Sequence, residues 1–327
     1  MFRLLSCFLI VSLLVTGLCL VSAQDAAKSG TELDYAAQPV VRDGGVTRVL
    51  VLGLDRSEAL TDSIFIVSVS EPTREARILQ IPRDTYAAYT DRDYKKLNGA
   101  YASLGMEGLK QFLSGALGVS IHYVLALDLD SVSTLVDAVG GVDLNVPQAM
   151  EYTDPAQNLN IRLEEGNQHL NGAQAERFLR FRSGYVTADL GRMDAQKLFL
   201  RAYAEKCRTL GGKQMLSLVW KLLPNAQTDL PVGEAIRLMR LLPEIDPANV
   251  PMLTAPGMSV QGTSGAWYYS LNRAGMIRAV NSYLFPQTEI TEETFDPGFV
   301  FDRRDLSDFH NIYTAPDLGS EEVSSNF

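Results

Sequence analysis

The chain has 327 residues, of which 46% are apolar and 21% are charged, so it can bury a sizeable core and is not of the disordered type. The formal net charge is -10, but residues 286–327 alone hold ten acidic and two basic side chains. The rest of the chain is nearly balanced in charge. Composition therefore gives no support for nucleic-acid binding.

The N-terminus carries an export signal. Leu4–Val21 contains no charged residue and follows Arg3, and Val21–Ala23 has the small residues of a signal-peptidase site. We therefore interpret residues 1–23 as a signal peptide or a retained signal anchor, with cleavage left open. The positive-inside tendency places the body of the protein at the extracytoplasmic face of the cell membrane, or outside the cell if the segment is cleaved.

Cysteine usage argues against a disulfide framework. Cys7 and Cys19 lie in the N-terminal apolar run, and Cys207 stands alone in the exported part. No bridge can form within that part, so we expect Cys207 to be a small buried residue.

A polar linker at residues 24–45 precedes alternating strands and helices. Short β-branched runs predict strands at Arg48–Gly53, Ser63–Ser70, Ala76–Ile81, His122–Asp128 and Val142–Val146. Helices are predicted at Asn98–Leu104, Glu107–Leu117, Leu129–Val139, Gly172–Leu179, Met193–Leu210, Met215–Leu223, Val232–Leu242 and Leu271–Leu284. This alternation predicts an α/β fold with helices on both faces of one sheet. One domain would span residues 46–285, with an acidic, disordered tail at 286–327.

Charged residues stand where the first three predicted strands begin or end. Asp55 follows the first strand and Asp62 precedes the second, so neighbouring strands would bring both carboxylates to one sheet edge. Two hard oxygen ligands of this kind suit Mg²⁺, although a loop aspartate beside a turn cap is the alternative. Arg83 ends the third strand and offers a guanidinium to a phosphate or carboxylate, or simply pairs with Asp84.

A second charged group lies between residues 180 and 196. Arg180 and Arg182 would point the same way on an extended segment, and Arg192 and Gln196 share one helix face, with Asp189 just before them. Guanidiniums that converge need an anion between them. The pattern therefore indicates a phosphate or carboxylate ligand, unless these side chains face solvent separately.

Eight segments, in order and spacing, resemble the LytR–CpsA–Psr family. They are Val51–Asp55, Thr61–Ile64, Ile81–Asp84, Lys96–Tyr101, Val136–Val142, Leu170–Ala175, Arg180–Arg182, and Ala188–Arg192 with Gln196. The resemblance is strong over Arg48–Lys206 and weaker to about Leu284.

The resemblance implies a three-layer α-β-α domain with a central mixed sheet. It also implies Mg²⁺-assisted transfer of a glycopolymer from a polyprenyl-pyrophosphate lipid, as glycan-phosphate, onto a peptidoglycan hydroxyl. By residue, it implies a metal site at Asp55 and Asp62, catalytic roles for Arg83 and for Asp189 as the residue that orients the arginines, and pyrophosphate binding by Arg180, Arg182, Arg192, Gln196 and Lys96.

Two positions depart from the family pattern. Leu60–Ser63 replaces a run that is often Arg-Ser-Asp-Thr, and Ala195 stands where an arginine often precedes the glutamine. Two other activities fit the same pocket: hydrolysis of the lipid-linked glycan, and non-catalytic binding or regulation. We find no helix-turn-helix pattern.

Overall fold

The computed structural model describes residues 44–55, 60–87, 96–155, 159–181, 189–210, 214, 226–241, 245, 249–261 and 265–295. Its strands are β1 (Val46–Leu54), β2 (Thr61–Ser70), β3 (Glu75–Ile81), β4 (Tyr123–Leu127), β5 (Val142–Val146), β6 (Met150–Asp154), β7 (Leu159–Leu163), β8 (Gly166–Leu170), β9 (Ala226–Thr228), β10 (Met252–Thr254), β11 (Gly257–Gln261) and β12 (Trp267–Leu271). Its helices are α1 (Ala100–Leu117), α2 (Leu129–Ala138), α3 (Gly172–Arg180), α4 (Asp189–Arg208), α5 (Val232–Leu241) and α6 (Arg273–Tyr283).

The central sheet has six strands in the order β10-β3-β2-β1-β4-β9. β1 pairs in parallel with β4 and antiparallel with β2, and β2 pairs antiparallel with β3. The sheet is therefore mixed, as expected. The three remaining pairs, β5–β8, β6–β7 and β11–β12, are separate two-stranded sheets.

Helices cover both faces of the sheet, and its strands accordingly place apolar side chains on both faces. Val49 and Val51 of β1 belong to a core with α2, α3, α4 and α5, whereas Leu50 and Leu52 belong to a core with α1 and α6. Alternate residues of one strand thus feed two hydrophobic layers. This arrangement is the α-β-α architecture that the sequence predicted.

The predicted elements mostly match the observed ones, with instructive differences. The two helices predicted at Asn98–Leu104 and Glu107–Leu117 are confirmed: α1 consists of two helical segments that meet at a kink at Gly105, whose φ of 69° is not helical. Strands β6 to β8 and β9 to β12 were not predicted. The helix predicted at Met215–Leu223 lies outside the described residues. Ile290 and Phe295, beyond the start of the predicted tail, are buried in the α1–α6 core.

Hydrogen bonds of Arg48 connect the first strand of the domain to the end of its last helix. It is completely buried in β1, and its Nε and Nη2 donate to the carbonyls of Leu284 and Phe285 at 2.5 and 2.7 Å. Its Nη1 donates to the carbonyl of Ser120 at 3.0 Å. The guanidinium therefore satisfies carbonyls at the negative end of α6.

Candidate active site

Strand directions bring the predicted acidic and basic residues to one edge of the sheet. β1, β3 and β4 run the same way, so their carboxyl ends lie at the edge where the antiparallel β2 begins. Asp55 follows β1, Asp62 is the second residue of β2, Arg83 lies two residues after β3, and Asp128 follows β4. The edge is therefore polar, although the strands behind it are apolar.

A β-bulge directs the side chain of Asp62. Gly53 pairs with Ser63, but Leu54 pairs with Thr61, so Asp62 is the additional residue on β2. A bulge changes the direction of a side chain relative to the regular alternation. As a result, Asp62 Oδ1 lies 2.5 Å from Arg83 Nη1 and 3.6 Å from Arg192 Nη1.

Arg192 is the buried cation of the site. Its side chain is 2% exposed, in the first turn of α4, and its guanidinium faces Asp62. A buried guanidinium needs an anion nearby, and Asp62 supplies one. Gln196 lies one turn further along α4 and borders the same cavity, which confirms that these two residues share a face.

Gln196 is bound to two residues that the sequence did not single out. Its Nε2 donates to Ser63 Oγ at 2.7 Å, and its Oε1 accepts from Gln80 Nε2 at 2.7 Å. Gln80 is 116 positions away in the chain. The even position of Gln80 in β3, beside inward-facing Ala76 and Ile78, was the only signal that could have placed it on this face of the sheet.

Arg180 also borders the cavity, from the last turn of α3, and its Nη1 lies 3.3 Å from Glu176 Oε1. Lys96 lies 3.0 Å from Asp84 and 5.7 Å from the ring centroid of Tyr268. Arg182 and the side chain of Asp189 lie outside the described residues. Their predicted roles, like that of Lys96, stay predictions.

The cavity lies between the sheet and the helices α2, α3 and α4. At the sheet edge its lining is polar: Asp62, Ser63, Asp128, Arg180, Arg192 and Gln196. Further along the strands and helices it is lined by apolar side chains: Val51, Phe65, Leu127, Val132, Leu135, Phe199, Leu200 and Tyr203. The shape suits an amphipathic ligand whose charged group remains at the edge and whose apolar part enters the interior.

Two carboxylates at the edge have the chemistry of a magnesium site. Asp55 closes the β1–β2 turn, since its Oδ1 accepts from Leu60 N–H at 3.1 Å, and Asp62 lies at the cavity. Within the described ranges, no three acidic, histidine or cysteine side chains gather to form a complete metal site. Mg²⁺ commonly takes one or two carboxylates and completes its shell with water and substrate phosphates, so this donor set fits it.

The fold and the polar edge define a class of protein that the sequence comparison identifies. The pattern described as the LytR_cpsA_psr family matches residues 19–282. The chain therefore belongs to the LytR–CpsA–Psr family, as its motifs predicted.

Two relatives are named as teichoic acid transferases. The polyisoprenyl-teichoic acid–peptidoglycan teichoic acid transferase TagV of Bacillus subtilis is 25% identical over 239 residues, which cover 72% of this chain and 61% of TagV. The transferase TagU of Bacillus anthracis, with the same description, is 27% identical over 229 residues, covering 68% of this chain and 72% of TagU.

Solved structures agree on the fold. The crystal structure of B. subtilis TagV superposes with a TM-score of 0.64 at 21% identity, covering 73% of this chain and 96% of TagV. The structure of TagT bound to LI-WTA superposes with a TM-score of 0.60 at 22% identity, covering 77% of this chain and 97% of TagT.

Among the described residues, no helix combines the length and apolar character that a membrane crossing requires. The predicted signal segment at residues 1–23 falls outside them.

Proposed function

We propose that this protein transfers a glycopolymer from a polyprenyl-pyrophosphate lipid onto a hydroxyl of peptidoglycan. The observation that carries the proposal is one cavity whose edge holds Arg180 and Arg192 and whose interior is apolar. The arginines at the edge suit a pyrophosphate, and the apolar interior suits a prenyl chain. Family membership and the activity for which TagV and TagU are named support the same reaction.

In the proposed reaction, a bond forms between the acceptor hydroxyl oxygen and the phosphorus that bears the glycan. The bond from that phosphorus to the bridging oxygen breaks, the polyprenyl monophosphate leaves, and the hydroxyl proton passes to water. Phosphoryl transfer depends mainly on positioning and on stabilising charge. In this proposal Arg180 and Arg192 face the phosphates and stabilise their charge.

Arg83 serves the acceptor. A guanidinium stays protonated at every relevant pH, so Arg83 is not a general base. It donates from Nη1 to Asp62 at 2.5 Å, which fixes it beside the cavity edge. We assign it to orient the acceptor hydroxyl and to stabilise charge on the transferred phosphate.

We also propose that Asp55 and Asp62 bind Mg²⁺ together with the pyrophosphate. A bound Mg²⁺ neutralises phosphate charge and favours departure of the lipid phosphate. The donor chemistry of the two carboxylates supports this assignment. We further propose that the segment 1–23 places the domain at the extracytoplasmic face of the membrane, where peptidoglycan lies.

The test uses the full chain in detergent, a polyprenyl-pyrophosphate-linked glycan, Mg²⁺ and peptidoglycan oligomers, with products identified by mass spectrometry. Arg192→Ala removes the buried cation, and Arg162→Ala is the matched control because Arg162 is 81% exposed on β7. A glycan-phosphate–peptidoglycan adduct that Arg192→Ala abolishes and Arg162→Ala retains supports the transferase. Released glycan phosphate without adduct would indicate the hydrolase instead, and lipid binding without turnover would indicate a binding protein.

A further inference from the structure

Ser63, Gln196 and Gln80 form a chain of side-chain hydrogen bonds that ends at the cavity. Gln80 Nε2 donates to Gln196 Oε1, and Gln196 Nε2 donates to Ser63 Oγ, each at 2.7 Å. The three residues come from β3, α4 and β2. Every donor in this chain points toward Ser63.

The two amides lie in one direction along the chain. Gln80 is 1% exposed and Gln196 is 6% exposed, so solvent has little access to either amide. Gln80 presents its NH₂ group to Gln196, which turns its carbonyl toward Gln80 and its own NH₂ group toward Ser63. Ser63 Oγ then accepts a hydrogen bond, which leaves its hydroxyl proton for another acceptor.

The surroundings of Ser63 leave room for that acceptor. Ser63 is only half-buried and borders the cavity beside Asp62 and Arg192. On the neighbouring strand its partner is Gly53, where an added Cβ would lie 3.3 Å from Ser63 Oγ. A glycine at this position keeps the space beside the hydroxyl open for a ligand atom.

We propose that the Ser63 hydroxyl donates a hydrogen bond to a pyrophosphate oxygen of the lipid-linked substrate. Gln80 is a positioning residue that acts through Gln196 to aim this hydroxyl. The inference rests on the proposed function and refines it, because Gln196 then supports Ser63 as well as facing the ligand. A serine hydroxyl can bind a pyrophosphate oxygen by hydrogen bonding, and it adds no charge to an edge that already holds arginines.

The first test measures binding of geranylgeranyl pyrophosphate to the full chain in detergent by isothermal titration. Ser63→Ala is expected to weaken binding about 10-fold or more, the usual effect of losing a hydrogen bond to a charged group. Ser63→Thr keeps the hydroxyl and should stay within about threefold of wild type. Ser70→Ala is the matched control: it removes a hydroxyl from the far end of β2, where Ser70 Oγ accepts from Thr73 N–H.

The second test reverses the chain. Gln80→Glu preserves shape, but a carboxylate only accepts, so Gln196 would turn its NH₂ group to Glu and its carbonyl to Ser63. The serine proton would then be drawn away from the cavity, and pyrophosphate binding should weaken about as much as in Ser63→Ala. In the Ser63→Ala background, Gln80→Glu should have little further effect on pyrophosphate binding. This result would distinguish an effect through the hydrogen bonds to Ser63 from simple charge repulsion.

The outcomes separate the proposed function from the role of Ser63. If wild type does not bind the prenyl pyrophosphate, the proposed function fails and the inference fails with it. If wild type binds and folded Ser63→Ala binds equally well, the serine contact is wrong while the proposed function stands. If Gln80→Glu weakens binding equally in both backgrounds, Gln80 does not act through Ser63.

Discussion

Asp62 Oδ1 accepts a hydrogen bond from Arg83 Nη1 at 2.5 Å, which joins the bulged start of β2 to the turn that follows β3. The pair connects the cavity, which Asp62 borders, to Arg83, the residue that we assign to the acceptor hydroxyl. Asp62 also faces Arg192 at 3.6 Å, so one carboxylate lies between the two guanidiniums. Their roles are separable by experiment.

Arg83→Ala should slow transfer about 100-fold or more while prenyl-pyrophosphate affinity changes less than about threefold, because Arg83 is assigned to the acceptor hydroxyl and to charge that develops during the transfer, and not to binding of the lipid. Single-turnover rates and binding titrations measure the two effects. Arg162→Ala serves again as the exposed control. An equal loss of affinity and rate would place Arg83 in the lipid-binding site instead.

Removal of divalent cations should abolish transfer, and added Mg²⁺ should restore it. Asp62→Asn keeps the side-chain shape but removes the negative charge, so the Mg²⁺ concentration for half-maximal rate should rise about 10-fold or more. Asp143→Asn, at a carboxylate 71% exposed on β5, is the control. A Mg²⁺ requirement that is the same in both variants would exclude Asp62 as a ligand.

Gly140 and Gly141 provide a matched pair for the turn between α2 and β5. Both have left-handed backbones, with φ of 81° and 89°, so alanine is strained at either. A Cβ at Gly140 meets nothing within 4 Å, whereas one at Gly141 would lie 2.2 Å from His169 Nε2 and 3.0 Å from the Leu170 carbonyl. Gly140→Ala should lower the free energy of unfolding by about 1 kcal/mol, and Gly141→Ala by clearly more. Urea titrations decide, and equal losses would contradict the steric argument.

Burial makes Cys207 an inert thiol, as the sequence predicted. It is completely buried, and burial raises the pKa of its thiol from 9.0 to about 12. The native protein should therefore not react with a thiol reagent at pH 8 until it is denatured. Reaction of the native protein within minutes would contradict this burial.

The same burial predicts how stability depends on pH. Burial also raises the pKa of Tyr269 from 10.0 to about 12. From about pH 9 upward the unfolded chain loses protons that the folded chain keeps, so the free energy of unfolding should fall as pH rises toward 12. Cys207→Ala should reduce this slope between pH 9 and 10, as urea titrations at both pH values would show. An unchanged slope would mean that Cys207 does not contribute.

Removing the Arg48 side-chain donors should be costly. Arg48→Met fills similar space but removes the donor to the buried carbonyl of Leu284 and to the partly exposed carbonyls of Ser120 and Phe285. We expect a loss of about 1 kcal/mol or more in the free energy of unfolding, since leaving a buried carbonyl unpaired costs about that much. Arg162→Met, on the exposed surface, should change it by less than about 0.5 kcal/mol. Comparable losses in the two variants would rule out a special role for Arg48.

The sequence predicted the elements whose burial pattern is local. The middle parts of β1 and β2 and the end of β3 are runs of mainly apolar, buried residues, and β5 matches its predicted bounds of Val142–Val146. The hairpin β6–β7 escaped prediction because Met150–Asp154 exposes three consecutive residues, so its strand character comes from pairing with β7 rather than from its own pattern.

For the site, too, the sequence predicted the features with a local signal and missed those that depend on distant contacts. Asp62, Arg83 and Arg192 were singled out because each stands at the end of an element, and the structure brings all three together. The bulge that turns Asp62, and the contact of Gln80 with Gln196, depend on register and on partners far along the chain. Neither the bulge nor this contact can be predicted from local spacing.

The Arg48 contacts also constrain when the domain can finish folding. Two of its carbonyl partners lie 236 and 237 residues further along the chain. While the chain is being made, β1 therefore carries a buried cation that lacks two of its final carbonyl partners until the last helix exists. These two contacts can form only after residue 285 has been synthesised, so the start and the end of the domain join late.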